Sequence, residues 1–277
     1  MKVRNAHPGD QISIDDLILR TSRASPRLWE WEKYLFADSF IVAECKQTII
    51  GAFLVWPDES PVAWVRLVAL DDDRDVDEWL DLTLPLALDG LRHRGTRALA
   101  WMDYRSWAAP YLKVRGFKRL VEVITLRKLD RSLPDTDASK SDVDIHIASE
   151  TDVPAIVTVE RAAFTPYWQC SETTMRRRMT AAYRFIVAKA AGSVIGYAEG
   201  SLNLPVAHLN RIAVHPAHQG SSIGALLLED MLRGFWRSEA ERITLNTQAN
   251  NHFARRLYRR FGFRPAGDSV TAWERPV

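Results

Sequence analysis

The chain has 277 residues, 47% of them hydrophobic and 26% charged, with 37 Lys and Arg against 35 Asp and Glu. This is the composition of a globular protein long enough for two domains of ordinary size, each with a core of its own. A net charge of +2 gives no support to nucleic-acid binding, two cysteines exclude a disulfide framework, and no apolar run approaches a membrane span. The opening Met1-Lys2-Val3-Arg4 is not followed by a signal-peptide core, so a reducing cytoplasm is the expected setting.

In chain order, Val3-Arg4-Asn5-Ala6, followed by Asp10, opens the chain as a short strand leading into helix. Val42-Ala43-Glu44, ending at Ile50-Gly51, reads as strand, and Val68-Ala69-Leu70 as another. That strand runs into Asp71-Asp72-Asp73-Arg74-Asp75-Val76-Asp77-Glu78, an acidic run without glycine. Leu112-Lys113-Val114-Arg115-Gly116-Phe117 is a helix stopped by glycine. Of the ten tryptophans, Trp56, Trp64, Trp101 and Trp107 are among those in this half, where core packing is the ordinary role of a large aromatic. The polar stretch from Asp130 to Asp142 reads as a linker.

Beyond the linker the same landmarks return, shifted by 142 to 146 positions. Ile145-His146-Ile147-Ala148 with Asp152 repeats the start, Val187-Ala188-Lys189 to Ile195-Gly196 repeats the middle, and Gly262-Phe263 repeats Gly116-Phe117. So steady a shift over a domain length means one fold present twice. The predicted division is a domain at 1–129, a linker at 130–143 and a domain at 144–277. In the second copy the pattern predicts a strand at 145–148 and a helix from Asp152 carrying Ile156, Val159, Ala163 and Phe164. Paired strands follow at 185–190 and 194–202, then a central strand at 209–214. A helix over 222–237 presents Ile223, Leu227, Met231 and Phe235 on one face. A strand at 242–247, a helix over 251–262 and a last strand at 269–274 complete it.

Two segments carry chemistry. Ile212-Ala213-Val214-His215-Pro216-Ala217-His218-Gln219-Gly220-Ser221-Ser222-Ile223-Gly224-Ala225 is an apolar strand, a turn, a loop of small residues and the start of a helix. A helix N-terminus reached through such a loop offers unpaired N–H groups and a favourable dipole to an anion, and small residues admit a diphosphate to the backbone. Downstream, Asn251-His252-Phe253-Ala254-Arg255-Arg256-Leu257-Tyr258 runs through to Phe261-Gly262-Phe263 and sets Ala254, Leu257, Tyr258 and Phe261 on one helix face. The first segment resembles the diphosphate loop of the GNAT superfamily of N-acetyltransferases, Gln/Arg-x-x-Gly-x-Gly/Ala, with Ser222 at the middle glycine. The second resembles its Asn-x-x-Ala-x-x-Leu-Tyr-x-x-x-Gly-Phe segment without a gap.

The resemblance implies an α/β fold, here two tandem copies, each a central, mostly antiparallel mixed sheet flanked by helices. The arrangement is similar to that of mycothiol-synthase-like proteins. It implies acetyl-CoA as co-substrate in the second copy. Ile212, Ala213 and Val214 would lie along the pantetheine, residues Gln219, Gly220, Ser221, Ser222, Ile223, Gly224 and Ala225 would cradle the diphosphate, and Asn251 and Ala254 would stand beside the arm. Tyr258 would protonate the departing thiolate, and Tyr167 and Trp168 would stand on the acceptor side. The first copy has an acidic run in place of the loop and Leu112 in place of the tyrosine, so it is expected to bind no such cofactor.

The expected acceptor is an amine of a small molecule or peptide, with neither nucleic acid nor membrane as partner, no metal, and a monomer or homodimer as the assembly. An alkyl amine of pKa ~10.4 must lose a proton before it attacks a thioester. Where many family members place a glutamate on the central strand, this chain has Asn210, so Glu199 is the candidate base, with His208 second and a water chain as the alternative. The arginines at 176–178 and Arg255, Arg256, Arg259 and Arg260 read as solvated helix faces or as contacts to a phosphate. A non-catalytic acyl-CoA-binding or regulatory tandem module stays open on the same residues. Ser222 and Asn210 favour it, whereas Asn251 and Tyr258 favour the enzyme.

Overall fold

A computed structural model describes residues 1–25, 31–57, 61–135 and 143–277. The chain forms two compact units: Met1–Val121 with Val270–Val277, and Glu122–Ser269. Both are mixed α/β.

In the first unit, β1 (Lys2–Asn5), β2 (Phe40–Cys45), β3 (Thr48–Pro57) and β4 (Val62–Leu70) form an antiparallel run. β4 then pairs in parallel with β5 (Ala98–Asp103) over Val62 to Trp64. α1 (Gln11–Arg20), α2 (Val76–Arg92) and α3 (Ala109–Val114) flank this sheet. In the second unit, β7 (Asp144–Ile147), β8 (Arg184–Ala190), β9 (Ser193–Asn203) and β10 (Val206–Val214) are antiparallel neighbours. β10 meets β11 (Arg242–Gln248) in parallel. Its helices are α4 (Val153–Ala163), α5 (Glu172–Ala181), α6 (Ile223–Arg237) and α7 (His252–Arg260).

The repeated landmarks of the sequence have repeated jobs. Asp10 accepts the backbone N–H of His7 at 2.9 Å, and Asp152 that of Ser149 at 2.9 Å, so each acid fixes the turn that starts the first helix of its unit. Gly116 and Gly262 have φ of +79° and +85° at the ends of α3 and α7, the left-handed conformation that glycine adopts most readily. The face predicted for 222–237 is buried as Ile223, Leu227, Met231 and Phe235, one side of the second unit's core.

The compact units differ from the division at 1–129 and 144–277, because each half closes on a strand of the other's sequence. β6 (Lys118–Lys128) pairs antiparallel with β11, from Val123↔Gln248 to Lys128↔Ile243, inside the second unit. The end of β12 (Arg264–Pro276) pairs with β5, from Thr271↔Asp103 to Pro276↔Ala98, inside the first. Of the linker expected at 130–143, residues 136–142 lie outside the described residues. At its start Asp130 accepts a 2.7 Å bond from Lys128, whose side chain is fully buried.

Candidate active site

The site begins with a parting of two strands. β10 and β11 pair only from Val206 to Leu209 and Arg242 to Leu245. At Asn210 the register of β10 on β9 slips: Leu209 faces Gly200, and Arg211 faces Glu199. A bulge of this kind bends the strand that carries it. Beyond it β10 stays with β9 as far as Val214↔Gly196, while β11 stays with β6. Between the diverging strands lies a cavity of about 1080 Å³.

The His215 N–H bonds the Ile195 carbonyl at 2.8 Å. Alternation along an antiparallel pair then turns the peptide groups of Ala213 toward β9, and those of Ile212 and Val214 toward the cavity. The strand thus offers a row of donors and acceptors to an extended ligand. Val214 is already engaged on one side, its carbonyl accepting from Gln219 Nε2 at 3.0 Å.

The loop after β10 turns through Pro216–His218 and reaches α6 with two left-handed residues, Gly220 at φ +83° and Ser222 at φ +62°. Ser222 occupies the N-cap position, yet its hydroxyl makes no capping bond. The first N–H groups of α6 are therefore left for a ligand, with the helix dipole behind them. Gly224 lies one residue into the helix, and a Cβ there would meet Leu257 only at 3.5 Å. Its small size is therefore not required by packing, and it opens the backbone to the cavity it lines.

On the opposite wall, Asn251 caps α7, its Oδ1 accepting the Ala254 N–H at 3.1 Å. Tyr258 follows two turns later, its ring 5.9 Å from that of Phe263. The Tyr258 hydroxyl has no hydrogen-bond partner among the described residues, and burial pushes its pKa up, which holds the phenol in its protonated form.

Of the expected cofactor residues, Ile212, Ala213, Val214, Gln219, Gly220, Ser222, Ile223, Gly224, Ala225, Asn251 and Ala254 all line this cavity, with Tyr258. Ser221 does not line it. Glu199 does not line it either: it is 1% exposed, ion-paired with Arg178, and accepts a 3.0 Å bond from Asn210 Nδ2. His208 is held through Nδ1 on Thr244 Oγ1 at 2.7 Å, and burial lowers its pKa.

The far end of the cavity is walled by Phe164, Trp168, Leu209, Asn210, Arg211 and Asn246. Sequence reading missed Arg211 and its partner Glu160. Arg211 Nε bonds Glu160 Oε2 at 3.0 Å, and its Nη2 bonds the Trp168 carbonyl. Glu160 is fully buried and also accepts from the Tyr197 hydroxyl. The available signal was an acid on the apolar face of α4, beside Ile156 and Val159. No group of three or more His, Cys, Asp or Glu suited to a metal occurs among the described residues.

The first unit has the same parting of strands, with different occupants. The Val68 carbonyl accepts from the Ser25 N–H at 2.8 Å, and the Val68 N–H donates to Ser25 Oγ at 3.1 Å. Thr21 Oγ1 takes the Leu70 carbonyl. These peptide groups correspond to those of Ile212 and Val214, and here the chain itself engages both groups of Val68 and the carbonyl of Leu70. The acidic run is equally engaged. Asp71 pairs with Arg20 at 2.8 Å, Asp72 accepts from Thr21 at 2.9 Å, and Asp75 caps α2 through the Glu78 N–H at 2.9 Å. Leu112 is buried in the core.

A loop of small residues at a helix N-terminus, an open strand edge and a protonated tyrosine thus surround one cavity in the second unit. The chain belongs to the acetyltransferase (GNAT) family, whose model matches residues 153–263. It is 32% identical over 120 residues to an uncharacterized N-acetyltransferase of Methanocaldococcus jannaschii, an alignment spanning 42% of this chain and 74% of that protein. It is 25% identical over 116 residues to a putative ribosomal protein bS18-alanine N-acetyltransferase of Bacillus subtilis, spanning 42% and 77%. The fold of the whole chain is similar to a tandem GNAT protein from the clavulanic acid biosynthesis pathway, with a TM-score of 0.67 at 16% identity, over 99% of this chain and 98% of that one. A GCN5-related N-acetyltransferase from Sphaerobacter thermophilus gives a TM-score of 0.67 at 14% identity, over 99% and 95%.

Proposed function

We propose that the second unit transfers the acetyl group of acetyl-CoA to a primary amine of a small molecule or peptide, and that the first unit binds no acetyl-CoA. The observation that carries this reading is the strand edge at Ile212 and Val214, open except at the Val214 carbonyl that Gln219 bonds, leading directly into the uncapped start of α6. An extended chain of amides ending in a diphosphate fits that sequence of features, as an added strand fits a sheet edge. Bound there, acetyl-CoA supplies an acetyl group already activated as a thioester.

The residues of this chain then do three things. Ile212 and Val214 orient the arm, and the loop from Gln219 to Ala225 neutralises the diphosphate with N–H groups and the helix dipole. Tyr258 holds a proton in an apolar wall for the sulfur, a fitting acid for a thiolate whose own pKa is ~8.5. Phe164, Trp168 and Leu209 shield the acceptor end from water.

A non-catalytic acyl-CoA-binding module is the second reading, and one observation favours it: Glu199, the expected base, is tied to Arg178 and Asn210. Incubating the protein with acetyl-CoA and a panel of amines, followed by intact-mass analysis, separates the two. Acetylated product at enzyme-dependent rates supports the transferase, whereas stoichiometric acetyl-CoA binding without product supports the module.

A further inference from the structure

Among the described residues lining the cavity there is no aspartate and no glutamate; the charged ones are Arg211, Arg256 and Arg260, and the one imidazole is His218, on the turn that leads into the loop before α6. Two acids stand just behind the wall, and each comes with its own guanidinium. Glu160, on α4, is held by Arg211 Nε at 3.0 Å and by the Tyr197 hydroxyl. Glu199, on β9, is held by Arg178 of α5 and by the Asn210 amide at 3.0 Å. Neither pair presents net negative charge to the cavity. His208 of β10 is bonded to Thr244 and does not line it, and Tyr258 of α7 faces it as a neutral phenol. The lining side chains around Leu209, Asn210 and Asn246 are apolar or amide groups.

At its Leu209, Asn210 and Asn246 end, away from the turn that carries His218, the wall has neither a counter-charge for an ammonium ion nor a free base to deprotonate one. An ammonium entering it would lose its water without compensation. At pH 7 an amine of pKa ~10.4 is neutral in roughly one molecule of 2,500, whereas an α-amine of pKa ~7.8 is neutral in about one of seven. Resting on the transferase reading above, we propose that the acceptor is a weakly basic primary amine, already neutral near pH 7, and that this wall excludes lysine-type ε-ammonium groups. A peptide α-amine, an aromatic amine and a hydrazide share that chemistry. The neutral nitrogen forms the new C–N bond as the C–S bond breaks with its electron pair on sulfur. Sulfur then takes the Tyr258 proton, and the surplus proton of the nitrogen leaves through water, restoring the phenol.

The test uses the full chain with acetyl-CoA and four probes: aniline, an alanine peptide amide, benzylamine and an α-acetylated lysine amide. At pH 7 the alanine α-amine is expected to exceed the lysine ε-amine in kcat/KM by more than 100-fold, and aniline to exceed benzylamine. The aniline–benzylamine gap should shrink about tenfold per pH unit while benzylamine is mostly protonated, whereas the alanine–lysine gap should shrink only about twofold from pH 7 to 8, where the α-amine itself titrates, and about sixfold from pH 8 to 9. Calorimetry on the CoA-saturated protein gives a readout independent of turnover. Benzylamine affinity should rise nearly tenfold between pH 7 and 8, and aniline affinity should stay constant. A gain-of-function variant adds a second arm. Asn246→Asp puts a carboxylate in the wall while keeping the acceptor oxygen that Thr125 bonds at 3.0 Å, and should narrow the α-over-ε preference at least tenfold. Equal use of both amines at pH 7, or benzylamine affinity that ignores pH, overturns the proposal. Acetyl-CoA binding without transfer to any probe also overturns it and leaves the cofactor site standing. Failure to bind acetyl-CoA removes the transferase reading itself.

Discussion

Arg211 lies with its guanidinium 4.0 Å from the centre of the Phe164 ring while its edge bonds Glu160. The bulge at Asn210 is what delivers Arg211 to that place, because it shifts every residue after it relative to β9. One side chain thereby fixes the end of α4, the backbone at Trp168 and the floor of the cavity.

Removing its counter-charge should therefore cost stability. Glu160→Gln keeps the shape but leaves the Arg211 charge buried with weaker partners. A loss of about 3 kcal/mol in urea unfolding is expected, as for broken buried pairs generally. A loss below ~1 kcal/mol would show that water replaces the carboxylate and that the pair does not hold the cavity end.

Tyr258→Phe deletes a hydroxyl that has no hydrogen-bond partner among the described residues and keeps the ring that packs on Phe263. Folding and acetyl-CoA affinity should stay near wild type. Turnover should fall about 10²- to 10⁴-fold, with kcat and kcat/KM dropping together. A fully active variant would leave this tyrosine as packing.

Ser222 sits at φ +62°, a conformation that costs a side-chain-bearing residue about 1 kcal/mol relative to glycine. Ser222→Gly should raise the thermal midpoint by roughly 2–4 °C in a chain of this size. Weaker binding of CoA by the same variant would identify the hydroxyl as a phosphate donor that repays the strain; unchanged or tighter binding would mark it as a defect of the loop.

Titration should find one acetyl-CoA per chain. Gly224→Asp, which sets a carboxylate at the start of α6, should abolish it, while Leu112→Tyr should create no second site, because Ser25 and Thr21 keep the β4 edge of the first unit. Two sites by calorimetry would refute the assignment of the first unit.

Lys128 is fully buried and bonded to Asp130, whose carboxyl is brought down to about 2 by that bond, with Ser132 adding to it. A carboxyl with a lowered folded pKa stabilises the fold above its unfolded value of ~3.9, and the contribution is lost as pH falls toward the folded value. Stability should therefore drop between about pH 4 and pH 2, and Asp130→Asn should flatten that part of the profile.

What the sequence disclosed was local. Gly116 and Gly262 announce helix ends, Asp10 and Asp152 announce helix starts, and the loop at 219–225 carries its own chemistry, so these could be read residue by residue. The fate of Glu199 could not, because it depends on Arg178, and α5 buries only Met175 and shows almost no apolar face. The bulge at Asn210 left no mark either, since an extra residue in a strand breaks alternation no more than a polar side chain does. Nor did the pairing of 122–128 with β11, because Val123 and Leu126 would suit any half-buried edge equally well.

The pairing of β12 with β5 sets a timetable for the molecule. During synthesis the first unit lacks the strand that lies against β5 until residues 270–277 have left the ribosome, so β5 waits with an open edge through the making of the whole second unit. The second unit, by contrast, has β6 in hand before β11 exists. The half bearing the cavity between β10 and β11 can mature first, and the other half is the last to be locked. Proteolysis of stalled nascent chains should find β5 and its surroundings open, and should find them closed only once residues 270–277 have emerged to pair with β5.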